Sequence, residues 1–131
     1  MADEIIMIDT SILIDYFRKK DKSKTRLFKL SQQFQKLCIS TITEFEIYTG
    51  ATGNQLDFWK TMLSSFIIFP FDSNAAIIAV EIKSKLKKLR HSIDTADLFI
   101  AATAISNKLM FDTLNQKHFS AIEDIELLNS I

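Results

Sequence analysis

Three acids and one amide in this sequence are placed where a parallel sheet would bring them together. Asp9 directly follows a short apolar run, Glu46 lies in the helical segment after a second run, and Asn115 follows a later one. Ligands of open parallel α/β sheets bind beyond the carboxyl ends of the strands, so we expect these side chains to meet there. Asp97 joins them only if the helix that carries it starts at the same edge.

The acids Asp9, Glu46 and Asp97 predict a metal site. Three carboxylates that converge within several ångströms repel one another and raise each other's pKa, unless a divalent cation neutralises them. Ligation by oxygen atoms alone suits Mg²⁺ or Mn²⁺. Such an ion polarises a phosphoryl oxygen and lowers the pKa of a bound water, which is the chemistry of phosphodiester hydrolysis.

Glu46 is a better candidate than its neighbour Glu44. The two residues are two positions apart, about 200° around a helix, so they cannot both face one site. Thr41 followed three residues later by Glu44 matches a capping box, which gives Glu44 a structural role. Gly50 lies one turn beyond Glu46 and would leave room for a ligand.

The apolar periodicity predicts a single α/β domain over residues 1–131. Short apolar runs rich in β-branched residues indicate strands buried on both faces. The predicted strands are 5–8, 37–39, 66–69, 109–111 and 125–128. One predicted helix starts at Thr10, and the other predicted helices cover 23–36, 41–50, 54–64, a stretch from 72 or 73 to about 90, and 95–106. Strands interleaved with helices imply a three-layer sandwich around a mostly parallel sheet of four to five strands.

The charge distribution is uneven although the formal net charge is zero. Residues 18–36 and 83–90 together hold 13 of the 16 Lys and Arg residues. The balance excludes a basic field over the whole protein, but basic faces beside an acidic metal site would suit RNA. We expect a rim of Arg18, Lys19, Lys20 and residues near Lys87; lysines that serve only solubility are the alternative.

Other features of the composition point to a soluble cytoplasmic protein. The lone Cys38 lies in an apolar run and predicts a small buried side chain rather than a reactive thiol. The acidic start of the chain lacks the features of a signal peptide. No apolar stretch approaches the roughly 20 residues needed to cross a bilayer, so we expect no membrane association.

Four sequence blocks, in order, resemble those of PIN domains, and their spacing resembles the VapC-like toxins of type II toxin–antitoxin systems. The blocks are 9–15 (DTSILID), 39–51 (ISTITEFEIYTGA), 97–104 (DLFIAATA) and 113–119 (TLNQKHF). The resemblance spans nearly the whole chain. Each block alone is a weak signal, whereas four blocks in register are a strong one.

This resemblance implies a Mg²⁺- or Mn²⁺-dependent endoribonuclease. Asp9, Glu46 and Asp97 match the three acids that hold the metal, and Asn115 occupies a fourth catalytic position that is acidic in many relatives. Asp112 is a further candidate for that fourth position, although it precedes the motif. The resemblance also implies cleavage that leaves a 5′-phosphate and a 3′-hydroxyl, an antitoxin protein as partner, and a homodimer.

Structural alternatives remain for the individual residues. Asp9 could cap the following helix, Asp97 could be a first-turn carboxylate favoured by the helix dipole, and Glu46 could be a solvated surface residue. The hydroxyls of Thr10, Ser11 and Thr43 could hold a carboxylate or a bound water, or they could simply start helices. His118 is more typical of a packing or surface histidine than of a catalytic one.

Two other functions compete with hydrolysis. A PIN-like domain that lacks one acid could bind RNA or a protein without cutting. The chain could also be a phosphotransfer domain of flavodoxin-like topology, in which Asp9 or a neighbour takes up a phosphoryl group. The second alternative is disfavoured because no paired acid precedes Asp9, and because Ser11 stands where phosphoaspartyl phosphatases have their second Asp.

Overall fold

The computed structural model of the protein describes residues 3–128. The strands are β1 (Asp3–Ile8), β2 (Phe34–Ser40), β3 (Ile67–Phe69), β4 (Met110–Asp112) and β5 (Glu126–Leu127); the helices are α1 (Thr10–Arg18), α2 (Arg26–Gln33), α3 (Thr41–Gly50), α4 (Gln55–Leu63), α5 (Ser73–Lys88), α6 (Thr95–Ser106) and α7 (Gln116–Phe119). Residues 1–2 and 129–131, at the ends of the predicted 1–131 domain, lie outside the described residues.

Within residues 3–128 the five strands form one parallel sheet in the order β3-β2-β1-β4-β5. The central strand β1 pairs with β2 through Met7 and Cys38, and with β4 through Met7 and Phe111. Three consecutive side chains of β1, Ile6, Met7 and Ile8, have no solvent exposure. This burial on both faces is the reason why the strand appears in the sequence as an unbroken apolar run.

Two hydrophobic clusters cover the two faces of the sheet. Ile6 and Ile8 belong to a cluster with side chains of α1 to α4, which includes Trp59. Met7 and Cys38 belong to the opposite cluster, which is built with α5, α6 and α7. The three-layer α/β sandwich is therefore confirmed. None of the helices in residues 3–128 is long and apolar enough to span a membrane.

The predicted helix over 23–36 is wrong at both ends. A short 3-10 turn covers Lys22–Lys24, and α2 begins after Thr25, whose hydroxyl accepts a hydrogen bond from the backbone N–H of Phe28 at 3.2 Å. The helix ends at Gln33, and Phe34 already pairs with β1. Phe34 is spaced from the preceding apolar residues as in a helix, but it is buried as a residue of the sheet.

The predicted capping box of Thr41 and Glu44 is also wrong. The N-cap of α3 is Ser40, whose side chain accepts from the N–H of Thr43 at 3.1 Å. The Thr41 hydroxyl instead accepts from the N–H of Phe71 at 3.1 Å and ties α3 to the segment before α5. The Thr41 side chain, which the local sequence assigned to the helix cap, is thus engaged in a long-range hydrogen bond.

The end of α5 differs slightly from the prediction. The helix stops at Lys88, and Arg90 adopts a left-handed backbone with φ 55°.

Earlier in the chain, Cys38 is fully buried in β2, and burial raises the pKa of its thiol to about 12. The prediction that Cys38 is a small buried side chain is therefore confirmed.

Candidate active site

The four residues singled out by the sequence line one open groove. Asp9, Glu46, Asp97 and Asn115 all contribute to it, and its volume is about 570 Å³. Asp9 follows the carboxyl end of β1, and Asp97 lies in the first turn of α6. The condition that α6 must begin near the same edge of the sheet is met.

The buried carboxylate of Asp9 is held in place by three hydrogen bonds from two residues. Its Oδ1 accepts from the backbone N–H of Ser11 at 3.1 Å and from the Ser11 hydroxyl. Its Oδ2 accepts from the Thr113 hydroxyl at 2.7 Å. Only 3% of Asp9 is exposed. Asp9 therefore caps α1, as the structural alternative expected, and it also lines the groove.

Burial makes the charged form of Asp9 unfavourable. Loss of hydration raises the pKa of Asp9 to about 6, although the hydrogen bonds from Ser11 and Thr113 oppose this change. The negative charge of Asp97 raises the pKa of Asp9 further. The two carboxylates are thus close enough to interact, and a bound cation would relieve their repulsion.

Asp97 has its own partners at the start of α6. Partial burial raises its pKa, and the negative charge of Asp94 adds to this effect, whereas His118 lowers it. The Nδ1 atom of His118 lies 3.3 Å from Asp97 Oδ2. His118 therefore contacts a carboxylate of the groove, whereas its sequence context was more typical of a packing or surface histidine.

Glu46 is oriented by a hydroxyl from α1. The Thr10 hydroxyl donates to Glu46 Oε1 at 2.6 Å, and Thr10 Oγ1 lies 3.2 Å from Thr43 Oγ1. Glu46 lines the groove and Glu44 does not, although the capping box that favoured this choice is absent. Gly50 does not line the groove either, and a Cβ added there would meet no atom within 4 Å.

Asn115 and Asp112 behave differently although both follow β4. Asn115 lines the groove, and its backbone N–H donates to Thr113 Oγ1 at 2.9 Å. Asp112 is fully buried and accepts from Arg26, through Nε at 2.6 Å and Nη2 at 3.1 Å. Asp112 therefore does not supply the fourth acid of the groove.

Asp15 also lines the groove, although it was not among the predicted site residues. Its Oδ1 lies 3.0 Å from Lys19 Nζ, and its Oδ2 is buried without a hydrogen-bond partner among residues 3–128. Asp15 is one helical turn after Ser11 on α1, so the i, i+4 spacing was a signal that could have found it.

The predicted basic rim is only partly formed. Arg18 and Lys19 line the groove, but Lys20 does not, and Lys87 lines a separate depression. Two other bases of the 18–36 stretch have structural partners. Lys22 donates to the carbonyls of Tyr16, Phe17 and Lys19 at the end of α1, and Arg26 pairs with Asp112.

The side chains of the groove fit a hard divalent cation by their chemistry. Asp9, Asp15, Glu46 and Asp97 offer carboxylate oxygens, the ligand type that Mg²⁺ and Mn²⁺ prefer. In residues 3–128 no three acidic, histidine or cysteine side chains lie close enough to form a complete metal cluster. The carboxylates of the described residues therefore share a groove but do not form a preassembled ion site.

Comparisons with known proteins give one consistent result. The family profile described as PIN domain matches residues 6–124. A protein named Ribonuclease VapC1 from Methanocaldococcus jannaschii is 36% identical over 126 residues, which cover 93% of this chain and 84% of the relative. Ribonuclease VapC from Rickettsia bellii is 31% identical, with 94% of each chain covered.

A solved structure has the same fold over nearly the whole chain. The DNA-bound VapBC complex from Salmonella typhimurium contains a chain with a TM-score of 0.81 and 26% identity, and the match covers 98% of each chain. The whole α/β sandwich is therefore shared with that chain, including the sheet edge that carries the groove.

Proposed function

Because this chain belongs to the PIN domain family and to its VapC members, we propose that it is a metal-dependent endoribonuclease that hydrolyses RNA phosphodiester bonds. One observation carries the proposal. The nearly fully buried carboxylate of Asp9 has a pKa raised to about 6, and it shares a groove with Glu46 and Asp97. A buried carboxylate that is destabilised in this way gains most from a cation.

Asp9, Glu46 and Asp97 are the residues that would hold Mg²⁺ or Mn²⁺. When bound, such an ion polarises a phosphoryl oxygen and lowers the pKa of a coordinated water. The chain fixes its carboxylates in advance: the hydroxyls of Ser11 and Thr113 hold Asp9, and the hydroxyl of Thr10 holds Glu46. This arrangement reduces the reorganisation needed when substrate binds.

Asn115 and the two cations at the groove act on the RNA backbone. Asn115 presents a neutral amide where an additional acid would repel a phosphate. Arg18 and Lys19 line the same groove and bring positive charge to the approaching strand. We therefore assign Asn115 to positioning the scissile phosphate, and the two cations to binding the phosphates beside it.

We also propose that the protein is the cytoplasmic toxin of a toxin–antitoxin pair, inhibited by a small antitoxin, and that it forms a homodimer. The VapBC complex with the same fold supports the antitoxin. Three exposed apolar side chains support protein contacts: Phe45, Ile77 and Val80 are 67%, 60% and 70% exposed. Sedimentation at micromolar concentration tests the dimer; a monomer at all concentrations would contradict it.

The nuclease proposal is tested with a labelled single-stranded RNA, with Mn²⁺ or with excess EDTA. Wild type should cut only with the metal, and Asp97→Asn should lower the rate by about 100-fold or more. Asp94→Asn is the matched control, because Asp94 starts the same helix but does not line the groove. RNA binding without any cutting in Mn²⁺ would instead show a binding module, which the amide at position 115 makes the second candidate.

A further inference from the structure

A second depression lies beside the catalytic groove, at the end of α5. Its wall is basic: Lys83 and Lys87 come from α5, and Arg90 and His91 from the segment that follows it. The first turn of α6 closes the other side, and the volume is about 340 Å³. The stretch 83–90 was a conspicuous feature of the sequence, and the catalytic groove does not use it.

The cations of this depression are free to bind an anion. Lys83 and Lys87 are one turn apart on α5 and share one side of the helix, and Arg90 lines the same depression from the segment that follows. All three are exposed, and none forms an ion pair within the part of the protein that the structure describes. Lys85, in contrast, lies near Glu123 and Asp124. No acidic residue lines the depression, so its concave surface concentrates positive potential.

The depression and the groove are separated by one turn of helix. Thr95 and Leu98 line the depression, whereas Asp97 of the same turn lines the groove. A helix with side chains is about 10–12 Å across. A nucleic acid strand rises about 3.4 Å per nucleotide when stacked, so roughly three nucleotides bridge the two sites.

We propose that this depression is a second RNA contact, which binds backbone phosphates of the single strand that continues past the catalytic groove. The inference rests on the proposed nuclease function. RNA is favoured over an acidic protein segment because the groove itself is lined by four acids. A phosphate chain entering that groove needs cations just outside it, where the acids repel it less.

Arg90 offers a selective variant, because it occupies a position that suits glycine. It follows α5 in the left-handed conformation, with hydrogen bonds from Arg90 N to Lys87 O and from His91 N to Leu86 O. Lys108 has the same arrangement after α6, with φ 54° and corresponding bonds. Arg90→Gly and Lys108→Gly therefore each remove one exposed charge and relieve the same backbone strain.

The two sites differ in their distance from the groove. Lys108 follows the far end of α6, a helix of 12 residues, which is about 18 Å long. Both variants should melt at or above the wild-type temperature. Only Arg90→Gly should affect the binding of RNA. Lys108→Gly therefore controls for the loss of one positive charge and for the relief of backbone strain.

The test measures the affinity for a fluorescent 12-nucleotide single-stranded uridine RNA in EDTA, at several salt concentrations. Arg90→Gly should weaken binding about tenfold. It should also reduce the magnitude of the slope of log K against log salt by about 0.7, since one phosphate contact is lost. Lys108→Gly should leave both quantities unchanged.

Equal affinities for wild type and Arg90→Gly would overturn the second contact, and the nuclease proposal would still stand if Mn²⁺ restores cutting. A wild type that neither binds RNA nor cuts it in Mn²⁺ would overturn both. A 12-residue glutamate peptide is the third probe. If it binds as tightly as the RNA and loses the same affinity in Arg90→Gly, the site takes an acidic protein segment, and the RNA assignment is wrong.

Discussion

Arg26 and Asp112, 86 positions apart in the sequence, form a two-point ion pair that fixes the end of β4 next to Asp9. The backbone carbonyl of Asp112 accepts from the N–H of Asp9 at 3.2 Å. The next residue, Thr113, donates to the Asp9 carboxylate. The acid at the centre of the groove is therefore anchored through a residue that itself never reaches the groove.

Loss of this anchor should destabilise the fold. Arg26→Ala leaves the fully buried Asp112 carboxylate without its cation, and we expect the free energy of unfolding to fall by about 3 kcal/mol. This is the low end of the usual range, because Arg26 is 24% exposed. Urea denaturation measures it. The control is Lys19→Ala, which breaks a pair whose lysine is half exposed and should cost under about 1 kcal/mol. Similar losses in the two variants would contradict the anchor.

Asp9→Asn should stabilise the metal-free protein at neutral pH. Folded Asp9 titrates near pH 6, above its ordinary value of 3.8, so the folded state holds more protons between these values. This contribution is fully present below pH 3.8 and is lost as the pH rises through 6. Removing the charge should therefore add up to about 3 kcal/mol at pH 7.5, and much less near pH 4.

Urea denaturation in EDTA at the two pH values checks this expectation, with Asp57→Asn as a surface control. Asp57 is exposed on α4. A gain for Asp9→Asn that is the same at both pH values would show that the cause is not the titration of Asp9.

Mn²⁺ should raise the melting temperature in a saturable way, because a ligand that binds only the folded state stabilises it. The gain is about 2.7 kcal/mol at a hundred times the dissociation constant. Glu46→Gln should weaken this response and remove RNA cleavage, whereas Glu44→Gln should keep both. Glu44 lies on the same helix outside the groove, so equal behaviour of the two variants would reject Glu46 as a ligand.

Thr10→Val should slow cleavage by about 10- to 100-fold without unfolding the protein. The substitution keeps the shape of the side chain but removes the hydroxyl that donates to Glu46. Steady-state kinetics at increasing Mn²⁺ should show partial rescue, since the carboxylate is still present but less well oriented. Thr49→Val, at an exposed position of α3, is the control, and a rate loss of equal size there would rule out this positioning role.

The sequence was most informative where short-range signals and burial agree. The apolar run of β1 ends at Asp9, and an acid at the end of a buried strand is both a helix cap and a site residue. Asp97 could be assigned to a first helical turn for the same local reason. The edge of the sheet then accounts for the place of Asp9, whereas the place of Asp97 also required α6 to begin at that edge, which the order of the strands does not determine.

Features that depend on distant contacts could not be predicted. Ser40 and Thr41 are adjacent hydroxyl residues, and either one suits a helix cap. The backbone N–H of Phe71 donates a hydrogen bond to the Thr41 hydroxyl, so Ser40 is the residue that caps the helix. The pairing of Arg26 with Asp112 likewise needs the folded arrangement of α2 and β4. Helical spacing alone cannot tell which lysines will face the groove.

Cys38, on the strand next to the centre of the sheet, can report the opening of the folded structure. Its thiol is fully buried and stays protonated in the folded chain, and the sequence contains no other cysteine. A thiol-reactive dye can therefore label the protein only in molecules whose central strands have separated. The labelling rate reports how often these rare openings occur, so the variants can be ranked by the frequency of opening, with no engineered cysteine and no denaturant.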